Sequence, residues 1–191
     1  MELLFAYFEV KSGTLLTDME KKRIASRFLA KRLRKRQYLL QEGDICKYFS
    51  FIVQGAARTY SVDEKGNEHI LHFGTSGWWV GDNESFTLHT PTRYNIDMLG
   101  DTELLVITES DLQELIDTIS AVSKTIAAIS SQRVISAEKR IHAAISQTPE
   151  ERFAALNAAY PDFLQKFPLN MIASYLGIST KTLGRIRNNS K

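Results

Sequence analysis

Pro168-Leu-Asn-Met-Ile-Ala-Ser-Tyr-Leu-Gly-Ile-Ser-Thr-Lys-Thr-Leu-Gly-Arg-Ile-Arg-Asn188 reads as two short helices joined by a tight turn. Ala173 is the small residue needed where two helices cross. Gly177, four residues on, enters the left-handed region at little cost, and Ile178 tucks under the turn. Ser179 is a natural N-cap for the second helix. Leu183 and Ile186 face inward, while Thr180, Lys181, Gly184, Arg185 and Asn188 share the opposite face. That face carries hydrogen-bond donors, two cations and a glycine that permits close approach, as a recognition helix in a major groove requires. From Phe163 to Lys191 there are five Lys or Arg residues and no Asp or Glu, a bias that suits phosphate. The same hairpin of helices also suits a module that meets protein instead of DNA.

Outside this stretch the composition sets the limits. The 191 residues are 43% hydrophobic, enough for one good core with a small satellite domain. No run of about 18 apolar residues predicts a membrane span. No export signal pattern opens the chain, and the default expectation is a cytoplasmic location. A single cysteine, Cys46, excludes an internal disulfide and any thiolate-only zinc or iron–sulfur site. The net charge of +2 hides an asymmetry. Residues 1–59 carry twelve basic and six acidic side chains, whereas residues 60–117 carry two basic and twelve acidic. The basic C-terminal segment suits nucleic acid and the acidic middle does not.

Thr17-Asp-Met-Glu20 is a capping box that opens a helix, with Ile24, Phe28 and Leu29 as its apolar face. The basic run Lys31 to Arg36 reads as a solvated helix end and strand edge. Between Gln37 and Ile107 the period shortens. Short runs of strand formers (Tyr38–Leu40, Tyr48–Val53, Ala57–Val62, His69–Phe73, Trp78–Val80, Tyr94–Leu99, Glu103–Ile107) are punctuated by Gly and Asp turns and predict a jelly-roll barrel. Helical periodicity returns at Glu109. The stretch from about Thr118 to Ser146 lacks proline and glycine and predicts one long helix whose apolar stripe serves as a dimer seam. A short helix from Pro149 to Ala159 leads into the quoted stretch. The expected class is α+β, with a β-roll sensor domain and N-terminal helix over 1–117, a dimerisation helix over 118–146 and a helix-turn-helix domain over 147–191.

This order resembles the Crp/Fnr family of bacterial transcription regulators, whose sensor is a cyclic-nucleotide-binding-like β-roll. The likeness rests on Ile178-Ser-Thr-Lys-Thr-Leu-Gly-Arg-Ile186, close to the family's C/I-S-R-E-T-V-G-R-I, and on Gln41-Glu-Gly-Asp44 with Val53-Gln-Gly55 in the roll. It implies a homodimer that binds a palindromic site on double-stranded DNA, with RNA polymerase as a further candidate partner. By the same likeness Thr180, Lys181 and Arg185 read bases, and Ser179 and Thr182 contact phosphates. Thr180 and Lys181 replace the common Arg and Glu, so a different target sequence is expected. The quoted residues stop at Lys191, before the family's usual β-wing, and Arg187 and Lys191 are expected to supply phosphate contacts there.

The effector site matches less well. The family's G-E-x-x-x-F followed by R-S/T-A reads here Gly81-Asp-Asn-Glu-Ser-Phe86, then Thr90-Pro-Thr-Arg-Tyr-Asn95. Asp82 replaces the ribose-binding Glu with a shorter reach. Without a gap, Thr92 takes the place of the phosphate Arg and Arg93 that of the Ser/Thr; a one-residue insertion restores Arg93 and leaves Tyr94 as hydroxyl donor. One step along a strand reverses the face, so the two registers differ in kind. On the long helix, Ser136-Ala-Glu-Lys139 keeps one of the two hydroxyls of the family's T-S-E-K. Gly81, Asp82, Thr92, Arg93 and Ser136 are thus the candidate effector residues, with the effector unknown, cyclic AMP not expected, and no cofactor required. No enzymatic activity is expected either. A cupin-type metalloenzyme would draw on His69, His72 and Glu84, but two histidines three apart on a strand face opposite sides.

Overall fold

The computed structural model describes residues 1–189. The capping box forms as its spacing demands: Thr17 Oγ1 accepts the Glu20 N–H at 3.3 Å, and the Glu20 carboxylate accepts the Thr17 N–H at 2.8 Å. It opens α2 (Asp18–Arg27), whose Ile24 is fully buried. Leu29 departs from the expected apolar face. It begins strand β1 (Leu29–Leu33) and is 59% exposed. Ahead of α2 lies α1 (Glu2–Ser12), which the periodicity did not announce. Its Leu4, Phe5 and Phe8 are buried, and Gly13 ends it in the left-handed region.

Eight strands follow among the described residues. They are β1, β2 (Tyr38–Leu40), β3 (Phe49–Gln54), β4 (Ala56–Val62), β5 (Glu68–Thr75), β6 (Trp79–Val80), β7 (Asn95–Met98) and β8 (Thr102–Ile107). They form two four-stranded sheets in the orders β1-β8-β3-β6 and β2-β7-β4-β5. Only the first half of the basic run, Lys31 to Leu33, lies in β1, which pairs antiparallel with β8; there Arg32 sits opposite Glu103 and ion-pairs with it at 2.8 Å, while Arg34 to Arg36 form the turn that follows. The core collects Phe51, Ile52, Ile96, Met98, Leu104 and Ile107, all essentially inaccessible. Around Trp79 gather Tyr7, Phe8, Phe28, Phe49 and Phe51, with Phe49 stacked on the indole at 5.0 Å. Gly55, at φ 109°, makes the β3–β4 turn; a side chain there would collide with the backbone of Asp101 and Thr102.

α3 (Asn83–Leu88) interrupts the strands, and α4 (Glu109–Thr118) and the long α5 (Ser120–Ser146) follow them. α6 (Pro149–Ala159) starts at a second capping box, Thr148 with Glu151. α7 (Phe163–Lys166), α8 (Leu169–Leu176) and α9 (Thr180–Asn189) complete the described chain. Two compact units result. One comprises 1–61 with 72–131, and the other 62–71 with 132–191. The second thus gathers the tip of the β4–β5 hairpin, most of α5 and the C-terminal helices. No described helix is long and apolar enough to cross a membrane.

Candidate nucleic-acid interface and effector cassette

The turn between α8 and α9 is built as its residues require. Gly177 takes φ 68° and ψ 35°, and its N–H donates to Ala173 and Ser174 carbonyls. The Ile178 N–H reaches the Ala173 carbonyl at 3.0 Å, which closes the turn. Ile172, Ala173, Leu176, Leu183 and Ile186 are buried between the two helices and α6. Ser179 caps α9, accepting the Thr182 N–H at 3.0 Å. The Ser179 and Thr182 hydroxyls also bond to each other at 2.8 Å. That bond consumes one hydroxyl hydrogen and leaves the other for an external acceptor.

The opposite face of α9 is open. Thr180, Lys181, Arg185, Arg187 and Asn188 are exposed, and no described acid pairs with the three cations. Lys181, Thr182, Arg185 and Asn188 line one shallow groove with Asn189. Nothing lies within 4 Å of where a Gly184 side chain would project, so a flat surface can approach the helix there. Lys191 lies outside the described residues. The start of α6 is already satisfied by Thr148 and Glu151, with Glu150 beside them. An anion gains nothing at that terminus.

The residues of the effector cassette sit in the first unit. Gly43 N–H donates to the Thr92 carbonyl at 2.9 Å and Thr92 N–H to the Asp44 carbonyl at 2.8 Å. These bonds hold the segment ahead of β7, in which Thr92 is buried and Arg93 exposed. Thr92 is buried and donates its hydroxyl to Asp82 Oδ2 at 2.6 Å. Asp82, also buried, uses Oδ1 to cap α3 through the Glu84 N–H at 3.1 Å. Arg93 is exposed and lies 3.7 Å from the Glu84 carboxylate. Ser85 pins α3, accepting the Cys46 N–H at 2.8 Å and donating to the Thr90 carbonyl at 2.6 Å. Burial pushes the Cys46 thiol up, so it remains protonated and inert.

A cyclic phosphate needs a cation and free donors. This cassette presents a buried carboxylate whose two oxygens are both engaged, and its only arginine faces out. The residues do not fit that anion. Ser136, the remaining candidate, is an exposed residue of α5 in the second unit, where the Gln132 amide donates to it at 3.4 Å.

Of the two candidate histidines, His69 is engaged by a neighbouring carboxylate. His69 sits 3.0 Å from Asp63, the residue that organises the β4–β5 turn. The Asn67 amide and the His69 ring hold the Asp63 carboxyl far below the usual range. Among the described residues no group of three His, Cys, Asp or Glu is placed to hold a metal ion.

One cluster had no sequence signal. Arg58 on β4 and Asp97 on β7 lie directly opposite and form a buried bidentate pair at 2.8 and 2.9 Å. The Arg58 guanidinium also lies 4.1 Å from the Tyr60 ring centre. Burial pushes the Tyr60 phenol strongly up; its hydroxyl meets that of Tyr38 at 3.3 Å.

Residues 30–119 match the cyclic nucleotide-binding domain family. Electron transport regulator A of Shewanella oneidensis is 24% identical over 168 residues, 82% of this chain, which spans 66% of that relative's length. FixK2 of Bradyrhizobium japonicum superposes with a TM-score of 0.74 at 20% identity, over 85% of this chain and 83% of that one. A CooA mutant of Carboxydothermus hydrogenoformans gives 0.70 at 19% identity, over 95% and 82%. Catabolite activator protein of Thermus thermophilus gives 0.59 at 20%, over 91% and 83%. Residues 30–119 are therefore a domain of the cyclic nucleotide-binding family, set in a chain with the fold of the Crp/Fnr regulators.

Proposed function

We propose that this protein is a sequence-specific DNA-binding transcription regulator, active as a homodimer on a palindromic site and independent of cyclic AMP. The observation that carries the reading is the open face of α9: a Ser179-capped helix that presents Lys181, Arg185 and Asn188 beside an unobstructed Gly184. Arg185 suits the two acceptors of a guanine edge, and the spare hydrogen of the Ser179–Thr182 pair suits a phosphate oxygen. Arg187 adds a phosphate contact.

The dimer follows from α5. Its first turns are covered, with Ala121, Val122 and Thr125 buried. Further along, Val134, Ile135, Ile141 and Ile145 stand exposed on a helix that has no proline or glycine to end it. A second copy of the helix is the natural cover, and two copies related by a two-fold axis read a two-fold site. Independence from cyclic AMP is supported by the Asp82–Thr92 bond and the outward Arg93.

The test is selection of DNA fragments by the purified protein without added ligand, with enriched sites sequenced and bound at two salt concentrations. An enriched palindrome whose affinity falls steeply with salt is expected. Failure to enrich any site, with and without cyclic AMP, would refute the reading.

A further inference from the structure

The second unit contains a contact that neither the α9 face nor the effector cassette uses. Strand β5 forms the edge of its sheet. Near its start, the Glu68 carbonyl and the Ile70 N–H, two residues apart, point to the same side. One side chain serves both. Ser174, on α8, accepts the Ile70 N–H at 3.0 Å and donates its hydroxyl to the Glu68 carbonyl at 3.0 Å. It acts toward the strand edge as a neighbouring strand residue would, giving and taking one hydrogen bond.

A second tie lies beside it. Arg140 of α5 donates to the Leu71 carbonyl at 2.6 Å, and its guanidinium lies 4.5 Å from the Tyr175 ring centre. Hairpin tip, long helix and α8 are thereby joined at two adjacent residues, Ser174 and Tyr175.

The placement of Ser174 in the chain gives this contact its consequence. Its own carbonyl accepts the Gly177 N–H at 3.0 Å, in the turn that sets the angle of α9. One residue therefore holds the hairpin edge with its side chain and the helix-turn-helix turn with its backbone. We infer that Ser174 is a positioning residue through which the edge of β5 fixes the turn at Gly177, and with it the angle at which α9 is offered to DNA. The latched state leaves Lys181 and Arg185 exposed, so the latch orders the reading helix and does not mask it. The consequence for DNA rests on the function proposed above; the coupling of hairpin to turn does not.

Two measurements on the full chain test this. Amide hydrogen exchange is followed at Ile70, Gly177 and Ile178 in the parent, in Ser174→Ala and in Ser174→Thr, without DNA. Removal of the hydroxyl should speed all three amides about tenfold, and threonine should restore them. On the selected palindrome, Ser174→Ala should bind about tenfold more weakly with unchanged base preference, and Ser174→Thr like the parent. Acceleration at Ile70 alone, with Gly177, Ile178 and affinity unchanged, would overturn the latch. If the parent selects no DNA at all, the functional reading falls, and exchange at Gly177 alone decides the latch.

Discussion

Ile141→Asp tests the dimer seam most directly. Ile141 is 61% exposed on α5, with Val134 at 59% and Ile145 at 82%. Full burial of such a side chain stabilises by roughly 2 kcal/mol. Covering what Ile141 leaves exposed is then worth about 1.2 kcal/mol per protomer, or about 2.5 kcal/mol per dimer. Aspartate removes this and brings two carboxylates into an apolar seam, at a further cost of about 2 kcal/mol or more. The expected loss of about 4–5 kcal/mol weakens association by about a thousandfold or more. Sedimentation velocity from nanomolar to tens of micromolar should show a parent dimer and a variant monomer. Far-UV circular dichroism should be unchanged, because the side chain already faces solvent in the protomer. DNA binding should fall with the dimer. A variant that sediments as the parent does, or a parent that stays monomeric throughout, would refute the argument from α5.

Other outcomes follow from single contacts. Arg185→Ala should relax preference at one base pair per half-site and cost about 1–3 kcal/mol in affinity, measured by competition with single-base variants of the selected site. Asp97→Asn leaves the buried Arg58 guanidinium without its counter-charge and should cost about 3 kcal/mol in urea unfolding, with DNA preference unchanged. Gly55→Ala should cost about 1–3 kcal/mol, since its backbone is left-handed and the space is taken by Asp101 and Thr102. Glu9, held low chiefly by the Leu16 N–H, and Glu114, held low chiefly by Arg23, have folded values below their unfolded ones. The stability they contribute is present above the ordinary carboxylate range and is lost as pH falls through it, below about pH 4.3. Melting temperatures should decline in that window, and Glu114→Gln should flatten the decline.

Local signals carried most of the secondary structure. Gly177 with Ser179, and the Thr-x-x-Glu box at Thr17, each state a helix boundary within four residues, and each forms as written. The strands were legible because turn residues punctuate them. α1 was not, because its apolar residues fall on several sides: Leu4 and Phe8 are buried while Val10 is 80% exposed. Periodicity has nothing to detect in such a helix, which is held by contacts from distant strands. Arg58 and Asp97 lie 39 residues apart, and only the register of β4 on β7 brings them together. The burial of Thr92 and the exposure of Arg93 were likewise beyond the pattern. They go with main-chain bonds from Thr92 to Gly43 and Asp44 that no pattern of side chains reveals.

The Asp82–Thr92 bond also bears on how such a roll could be re-engineered. Thr92→Arg would place a cation in the cassette in one step. The new guanidinium would meet the Asp82 carboxylate that Thr92 now touches at 2.6 Å, and the two charges would neutralise each other. On the proposed independence from cyclic AMP, conversion to a nucleotide-responsive protein therefore requires at least two coordinated exchanges, the aspartate as well as the threonine. Asp82 also holds the Glu84 N–H at the start of α3, so its replacement must keep a cap for that turn. The intermediate along such a path is a protein with a salt bridge where a ligand should be. A single-step mutational screen for gain of response would pass over this pocket.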